Sequence, residues 1–443
     1  MTQVYEKRVA QQSFSGVQSS CFTTERLGKI VESAHLNFLI GAGTSSPYIP
    51  TLGNIEDTLE ELENATAQEN IKKLVRASIQ AYFFEKVLAP NTKIIEHDKT
   101  AEDVFQSYLS LVRTLNRILL LRRNTLLSKQ VNIFTTNVDM LFEVAMEALG
   151  INYSDGFNGK ILPKFDFGDF GTLRFRTSSR YEHRFEVPVF NLVKIHGSAA
   201  WRQDKRENGL IDIYFDHDLT LVKKIEKLLG QPNTEFLSVT ADSQSGQEGS
   251  TLHTVDELIA KAKEYFKNLD LRETRGQKQL PPDVERFSDI YKKLGIVNPD
   301  KRKFATTVLN ETYYELIRRL ANELEKENSV LFVHGFSFRD EHIRDIVLRA
   351  ASTNPTLQVI VFCYSYKDRK SFKQHLPDVD IKNDNIKFII PDEPRENKKE
   401  RKITLDVLVS DYLTPIVSEK ISDLDSRIEN DIHALREKEV PDD

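Results

Sequence analysis

The sequence predicts an α/β protein: a doubly wound, mostly parallel Rossmann-like sheet with helical insertions. Two observations lead there. Short apolar runs recur along the chain and end in small or polar residues, and the segments between them have helical periodicity and crossover length. In LNFLIGAG (36–43), Leu36, Phe38, Leu39 and Ile40 form a near-continuous apolar run, as in a strand covered on both faces. Charged and apolar residues interleave from 55 to 88, and 101–127 is leucine-rich without Pro or Gly, which together make a helical insertion over about 55–128. VNIFTTN (131–137) reads as the second strand, MLFEVAMEALG as a helix, INYSDGF as a short third strand and FNLVKIHGS (190–198) as the fourth.

Composition changes between 201 and 304, where the polar linkers TADSQSGQEGST (240–251) and RETRGQKQLPPD (272–283) flank helical patterns. This segment is expected to be an inserted helical module or lid. An amphipathic helix over 305–328 then feeds SVLFVHGFSF, the fifth strand, followed by the helix EHIRDIVLRAAS, the strand LQVIVFCYS (357–365) and the strand IKFII (386–390). The organisation is thus an N-terminal extension (1–30), a first Rossmann part (31–200), the inserted module (201–304), a second Rossmann part (305–417) and a helical tail (418–443). The charged run PRENKKERK (394–402) reads as a solvated loop.

With 443 residues the chain exceeds one ordinary compact core, and 40% hydrophobic with 29% charged residues is the balance of a soluble globular protein. A formal charge of −6 gives no global attraction to nucleic acid or anionic lipid and leaves a local basic patch open. Cys21 and Cys363 form no C-x-x-C pair, so neither a disulfide framework nor a cysteine zinc site is expected. No apolar stretch reaches the roughly 20 residues of a membrane span, and a cytoplasmic location fits.

Ligands of open parallel sheets sit outside the carboxyl ends of the strands. That rule selects four places: GAGTSS (41–46), TTNVD (135–139), IHGS (195–198) and HGFSFRDEH (334–342). GAGTSS offers glycines for close backbone approach and N–H and hydroxyl groups for a phosphate, and its alternative reading is a tight turn. The fingerprint G-x-G-x-x-G lacks its third glycine, since Ser46 stands there, which disfavours an ordinary dehydrogenase. Asn137 and Asp139 suit either a ligand site or a helix start, Asp340 suits a ligand site or the cap of the helix at 341–352, and His196 suits a catalytic or a structural histidine.

With GAGTS at 41–45, TTNVD at 135–139, KIHGS at 194–198 and GFSFRDEHI at 335–343, in that order, the chain resembles the sirtuin family. SSPYIPTLGN keeps Ile49 and Pro50 of the segment that covers the cofactor in sirtuins but lacks its Phe-Arg pair, and 201–304 contains no cysteine where the zinc ribbon would stand. No zinc or other metal is therefore expected. TTN-x-D, HGS-x-x-W with Trp201, and GFSF-x-D-x-HI are similar to bacterial sirtuin-like NAD hydrolases of anti-phage defence, above all the type encoded beside a HerA-type hexameric ATPase.

The resemblance implies an NAD+ nucleosidase releasing nicotinamide and ADP-ribose, with NAD+ as substrate, a homo-oligomeric assembly and a HerA-type ATPase partner. It assigns Asn137 and His196 to the reacting ribose, Asp139 to the nicotinamide amide, and Gly41, Ala42, Gly43, Thr44 and Ser45 to the pyrophosphate. Thr136, Gly197 and Asp340 join the cofactor site, and Gly335, Phe336 and Ser337 fall on its adenosine ribose and phosphate side. Two alternatives remain open: an NAD-dependent deacylase or ADP-ribosyltransferase, and a non-catalytic subunit that senses NAD or ADP-ribose. No residue visibly selects NAD over NADP.

Overall fold

The structure, a computed structural model, describes residues 17–18, 23–52, 54–180, 183–207, 210–232, 235–240, 252–270, 280–297, 311–376, 383–393 and 400–422. In chain order the strands are β1 (Val17–Gln18), β2 (His35–Ile40), β3 (Gln130–Thr135), β4 (Tyr153–Ser154), β5 (Phe157–Asn158), β6 (Lys164–Phe165), β7 (Arg174–Thr177), β8 (Arg184–Val187), β9 (Val189–Lys194), β10 (Gly197–Lys205), β11 (Ile211–Phe215), β12 (Leu294–Ile296), β13 (Ser329–His334), β14 (Gln358–Phe362) and β15 (Ile386–Ile390). Seven of them form an all-parallel sheet in the order β15-β14-β13-β2-β3-β9-β4, with the two-residue β1 added, also parallel, beside β15. The chain winds outward in both directions from β2, the doubly wound arrangement expected from its apolar runs.

Side-chain alternation along these strands feeds two cores. Leu36, Phe38 and Ile40, with Val131, Ile133, Phe190, Leu192, Val330 and Phe332, face the helices inserted between β2 and β3. Those helices are α2 (Asn54–Asn64), α3 (Glu69–Phe83), α4 (Pro90–Ile95) and α5 (Glu102–Leu120), after α1 (Thr24–Ser33) ahead of the sheet. Leu39, Phe134, Val193, Leu331 and Val333 face the other way, into a core completed by Leu316, Leu320 and Leu324 of α10. Here α6 is Leu141–Ala148, α7 Thr220–Leu229, α8 Val255–Asp270, α9 Pro282–Tyr291, α10 Glu311–Glu325, α11 Glu341–Thr353 and α12 Asp368–His375.

The register of the three central strands is marked by polar residues in an otherwise apolar layer. Asn37, Asn132 and Asn191 are paired across β2, β3 and β9, and all are buried. Asn191 Nδ2 donates to Asn132 Oδ1 at 2.8 Å, and Asn132 Nδ2 donates to Asn37 Oδ1 at 2.8 Å and to Glu323 Oε2 of α10 at 3.1 Å. A one-residue slip would turn every member to the opposite face and leave these groups unpaired.

The segment after His196 differs from its expected helical character. Helices α7, α8 and α9 are present, but the chain enters through the antiparallel hairpin β10–β11, part of a five-stranded sheet ordered β12-β10-β11-β6-β5. Apolar residues alternate only over the short β11, at Ile211, Ile213 and Phe215, and β10 offers Trp201 alone among large apolar residues, a signal masked by the charged residues around them. Trp201 is buried among Phe157 and Phe165, with ring centroids at 5.3 and 5.4 Å. The helical pattern of 305–328 is observed from Glu311, and helical residues continue the C-terminal segment to 422. Most of the expected extension and tail, and much of both polar linkers, lie outside the described residues. Among the described residues no helix is long and apolar enough to cross a membrane.

Asn132→Ala should lower the unfolding free energy by about 2–4 kcal/mol, because Asn191 Nδ2, Asn37 Oδ1 and Glu323 lose a buried partner together. Urea denaturation checks it, with the exposed Asn158→Ala expected to stay within about 0.5 kcal/mol of the parent.

Candidate functional site

Four strand ends are brought level by the register. His334 pairs with Ile40, Ile40 with Thr135, and Thr135 with Lys194, so the four loops picked from the sequence leave the sheet side by side. Asn137 and His196 each lie two residues beyond a paired position, Thr135 and Lys194, at the mouths of adjacent strands.

The Gly41–Ser45 loop and the Gly335–Phe336 turn are locked together by backbone. Gly41 N–H donates to His334 O and Gly43 N–H to Gly335 O, both at 3.0 Å. A Cβ on Gly41 would stand 2.4 Å from Gly335 O, and one on Gly335, whose φ is +65, would stand 2.4 Å from Thr44 N. These two glycines are therefore required by the close approach of the loops. The loop's own N–H groups are largely used inside the protein, because Thr44 N–H donates to Gly41 O and Ser45 N–H to Ala42 O. Thr44 is buried with its hydroxyl 2.9 Å from His334 Nδ1, while Ala42 is exposed at the rim.

His334 is buried, and its Nε2 lies 3.1 Å from Ile403 O. A carbonyl only accepts, so Nε2 carries the proton and Nδ1 accepts from Thr44. Burial pushes its pKa down to about 4.

Below the loops, Asn137, Asp139, Ser45 and Tyr108 share one network. Asn137 is buried and donates from Nδ2 to Ser45 Oγ at 3.0 Å, while its own N–H donates to Thr135 Oγ1. Its Oδ1 is buried without a partner in the protein. Helix α6 starts at Leu141, four residues on, so Asn137 is not its cap. Asp139 Oδ2 accepts from Ser45 Oγ at 2.8 Å and Oδ1 from Leu141 N–H at 3.2 Å, so its carboxylate is committed inside the protein. Tyr108, on α5, brings its hydroxyl to 2.8 Å from Ser45 Oγ.

His196 is 17% exposed, and its Nε2 lies 3.1 Å from Asp340 Oδ2. Asp340 Oδ1 also accepts from Ile343 N–H at 3.3 Å, so the carboxylate caps α11 and holds His196 at once. The two residues come from β9 and β13, which are separated by β2 and β3, or about 14 Å at normal strand spacing. The loop 335–340 thus arches over the mouths of β2 and β3. Phe338 holds the arch in a left-handed conformation (φ 59) with its ring buried against Phe336 and Phe372, an outlier for a bulky residue. Phe336 is buried in that core too, and Ser337 between them is exposed.

One buried charge pair braces the floor. Lys194 Nζ lies 2.8 Å from Glu143 Oε1, with both side chains at most 3% exposed, and it also donates to the Asp139 carbonyl. Burial raises the Glu143 pKa, and Lys194 works against that rise. Burial likewise pushes the nearby Asp155 up to about 7. Gly197, at φ +80, is set by β12, because a Cβ there would lie 2.0 Å from Gly295 O.

Of the residues selected from the sequence, the structure gathers Ser45, Asn137 and Asp139 into one network and His196 with Asp340 into another. Gly41, Gly43, Thr44, Gly197, Gly335 and Phe336 serve loop packing, and Thr136 is half-buried between the loops at the strand mouths. Sequence reasoning missed Tyr108, Lys194, Glu143 and His334. Only Lys194 had a signal, a lone cation closing an apolar strand. Among the described residues no group of His, Cys, Asp or Glu side chains is placed to hold a metal ion. Compared with protein-family models and with curated proteins, the chain matches neither.

Lys194→Met is expected to cost about 3–5 kcal/mol in guanidinium unfolding, because Glu143 is left buried and unpaired, and Lys194→Met with Glu143→Leu should regain most of it. His334 gives a pH signature. Its folded pKa lies near 4 against 6.5 unfolded, so the unfolded chain binds the extra proton between those values. The resulting stability is complete above pH 6.5 and falls by about 3 kcal/mol as pH drops to 4. Chemical denaturation across that window should show this slope in the parent and lose it in His334→Gln.

Proposed function

We propose that this protein is a sirtuin-like NAD+ glycohydrolase that cleaves NAD+ to nicotinamide and ADP-ribose. The observation that carries the reading is the unpaired, buried Oδ1 of Asn137 at a strand mouth next to the His196–Asp340 pair. A buried acceptor without a partner is costly unless a ligand supplies the donor.

Nicotinamide in NAD+ is already a cationic leaving group. Breaking its bond to ribose C1′ sends the bonding pair to the ring nitrogen, which leaves neutral, so no strong acid is needed. What the reaction needs is an oriented nucleophile and surroundings that tolerate an oxocarbenium-like ribose. Asn137 Oδ1 accepts a hydrogen from a ribose hydroxyl or from the attacking water. Asp340 can only accept, so His196 carries its proton on Nε2 and keeps Nδ1 as the base. As the water oxygen bonds to C1′, its proton passes to His196 and then to solvent. Asp139 holds Ser45 inside the protein, and the resemblance alone assigns it to the nicotinamide amide. The exposed rim residues Ala42 and Ser337 are the places where the phosphates would pass.

Resemblance alone extends this proposal to a gated NAD-depleting effector of anti-phage defence, cytoplasmic, homo-oligomeric and partnered by a HerA-type ATPase.

Asn137→Ala and His196→Ala should each lower nicotinamide release from NAD+ by about 100-fold or more. Asp340→Asn, which keeps a capping oxygen for α11, should lower it roughly tenfold. Chromatographic assay of nicotinamide, with and without a co-expressed ATPase, checks all three. Undiminished release in Asn137→Ala would overturn the assignment, and NAD+ binding without release under either condition would favour a nucleotide-sensing subunit.

A further inference from the structure

Helix α5 belongs to the insertion between β2 and β3, yet one of its side chains reaches the floor of the site. Tyr108 is fully buried, its ring edge-on to Phe142 at 4.7 Å, and its hydroxyl lies 2.8 Å from Ser45 Oγ and 3.5 Å from Asn137 Nδ2. Asp139 decides the direction of these bonds. A carboxylate only accepts, so Ser45 spends its one proton on Asp139 Oδ2 at 2.8 Å. The lone pairs of Ser45 Oγ then take hydrogens from the Tyr108 hydroxyl and from Asn137 Nδ2 at 3.0 Å. Tyr108 stays a phenol at neutral pH, since burial first and the Asp139 charge second push it well above its ordinary value. With Nδ2 turned to Ser45, Oδ1 of Asn137 faces away from the network, where it has no protein partner.

We propose that Tyr108 is a positioning residue that acts through Ser45 to hold the Asn137 carboxamide with its oxygen presented to the ligand. The inference rests on the hydrolase reading for the ligand's identity, a hydroxyl or water that donates to that oxygen. A carboxamide turned over would offer N–H groups to a ligand that also brings hydrogen, and the contact would be lost. The helical insertion is by this route part of the site.

Tyr108→Phe removes the hydroxyl and keeps the ring. In the full-length chain it is expected to lower kcat for nicotinamide release roughly tenfold while KM for NAD+ and the affinity for ADP-ribose stay within about twofold. The Asn137 side-chain amide, observed by NMR in protein labelled with ¹⁵N-asparagine and identified by its absence in Asn137→Ala, should exchange with solvent about tenfold faster in the variant. A tyrosine that only fills space would leave both the kcat-to-KM pattern and the amide signal as in the parent, and that result overturns the proposal. Should the parent release no nicotinamide, the hydrolase reading falls, and the amide signal still decides the role of Tyr108. Ser45→Ala breaks the same chain of bonds at its middle atom and serves as the second variant; an unchanged amide signal there also overturns the proposal.

Discussion

The asparagine ladder across β2, β3 and β9 is the constraint on which the rest of the molecule depends. Apolar strands alone specify which face is buried only to within two residues, since their side chains are interchangeable along one face. Asn37, Asn132 and Asn191 remove that freedom, because their amides satisfy one another only when all three are level. Glu323 ties the ladder to α10 on the same face. Once the register is set, Gly41, Asn137 and His196 leave the sheet at matching heights, and a site can form between loops far apart in sequence.

Around the strand mouths, several buried polar groups are answered from within the protein. Lys194 meets Glu143 and the Asp139 carbonyl, Ser45 meets Asp139 and Tyr108, and Thr44 meets His334. Such networks are costly when broken and specify geometry when complete. The Asn137 oxygen is one of the buried polar atoms without a protein partner among the described residues, and it lies at the mouth of β3. The Glu143 carboxylate also keeps one oxygen unpaired, yet it is a partner of Lys194 in the floor and does not lie at a strand mouth.

The two glycine-containing loops illustrate how one residue type serves two ends. Glycines after a first strand suggest a phosphate cradle, and here their immediate physical role is to let two backbones touch. The contact fixes the start of the arch that carries Asp340 across the sheet to His196. Loop packing and the candidate site are therefore coupled: the glycines that let the loops touch help determine where Asp340 and His196 stand.

The sequence by itself determined the seven apolar runs of the parallel sheet, their separation by helices, and the four strand ends, one followed by Ser45, one by Asn137 and Asp139, one by His196 and one by Asp340, because hydrophobic periodicity and chain order are local properties. It did not disclose the β10–β11 hairpin, because β10 has one large apolar residue, Trp201, and its second half is charged, while the alternation in β11 spans five residues. Nor could it choose between cap and ligand site for Asp340, which in the tertiary structure caps α11 and meets His196. Only the fold decided that Tyr108 from a distant helix meets Ser45, that Lys194 lies buried against Glu143, and which end of the Asn137 carboxamide is left free. Those outcomes depend on distances between segments up to about a hundred residues apart, and no local pattern of residues encodes such a distance.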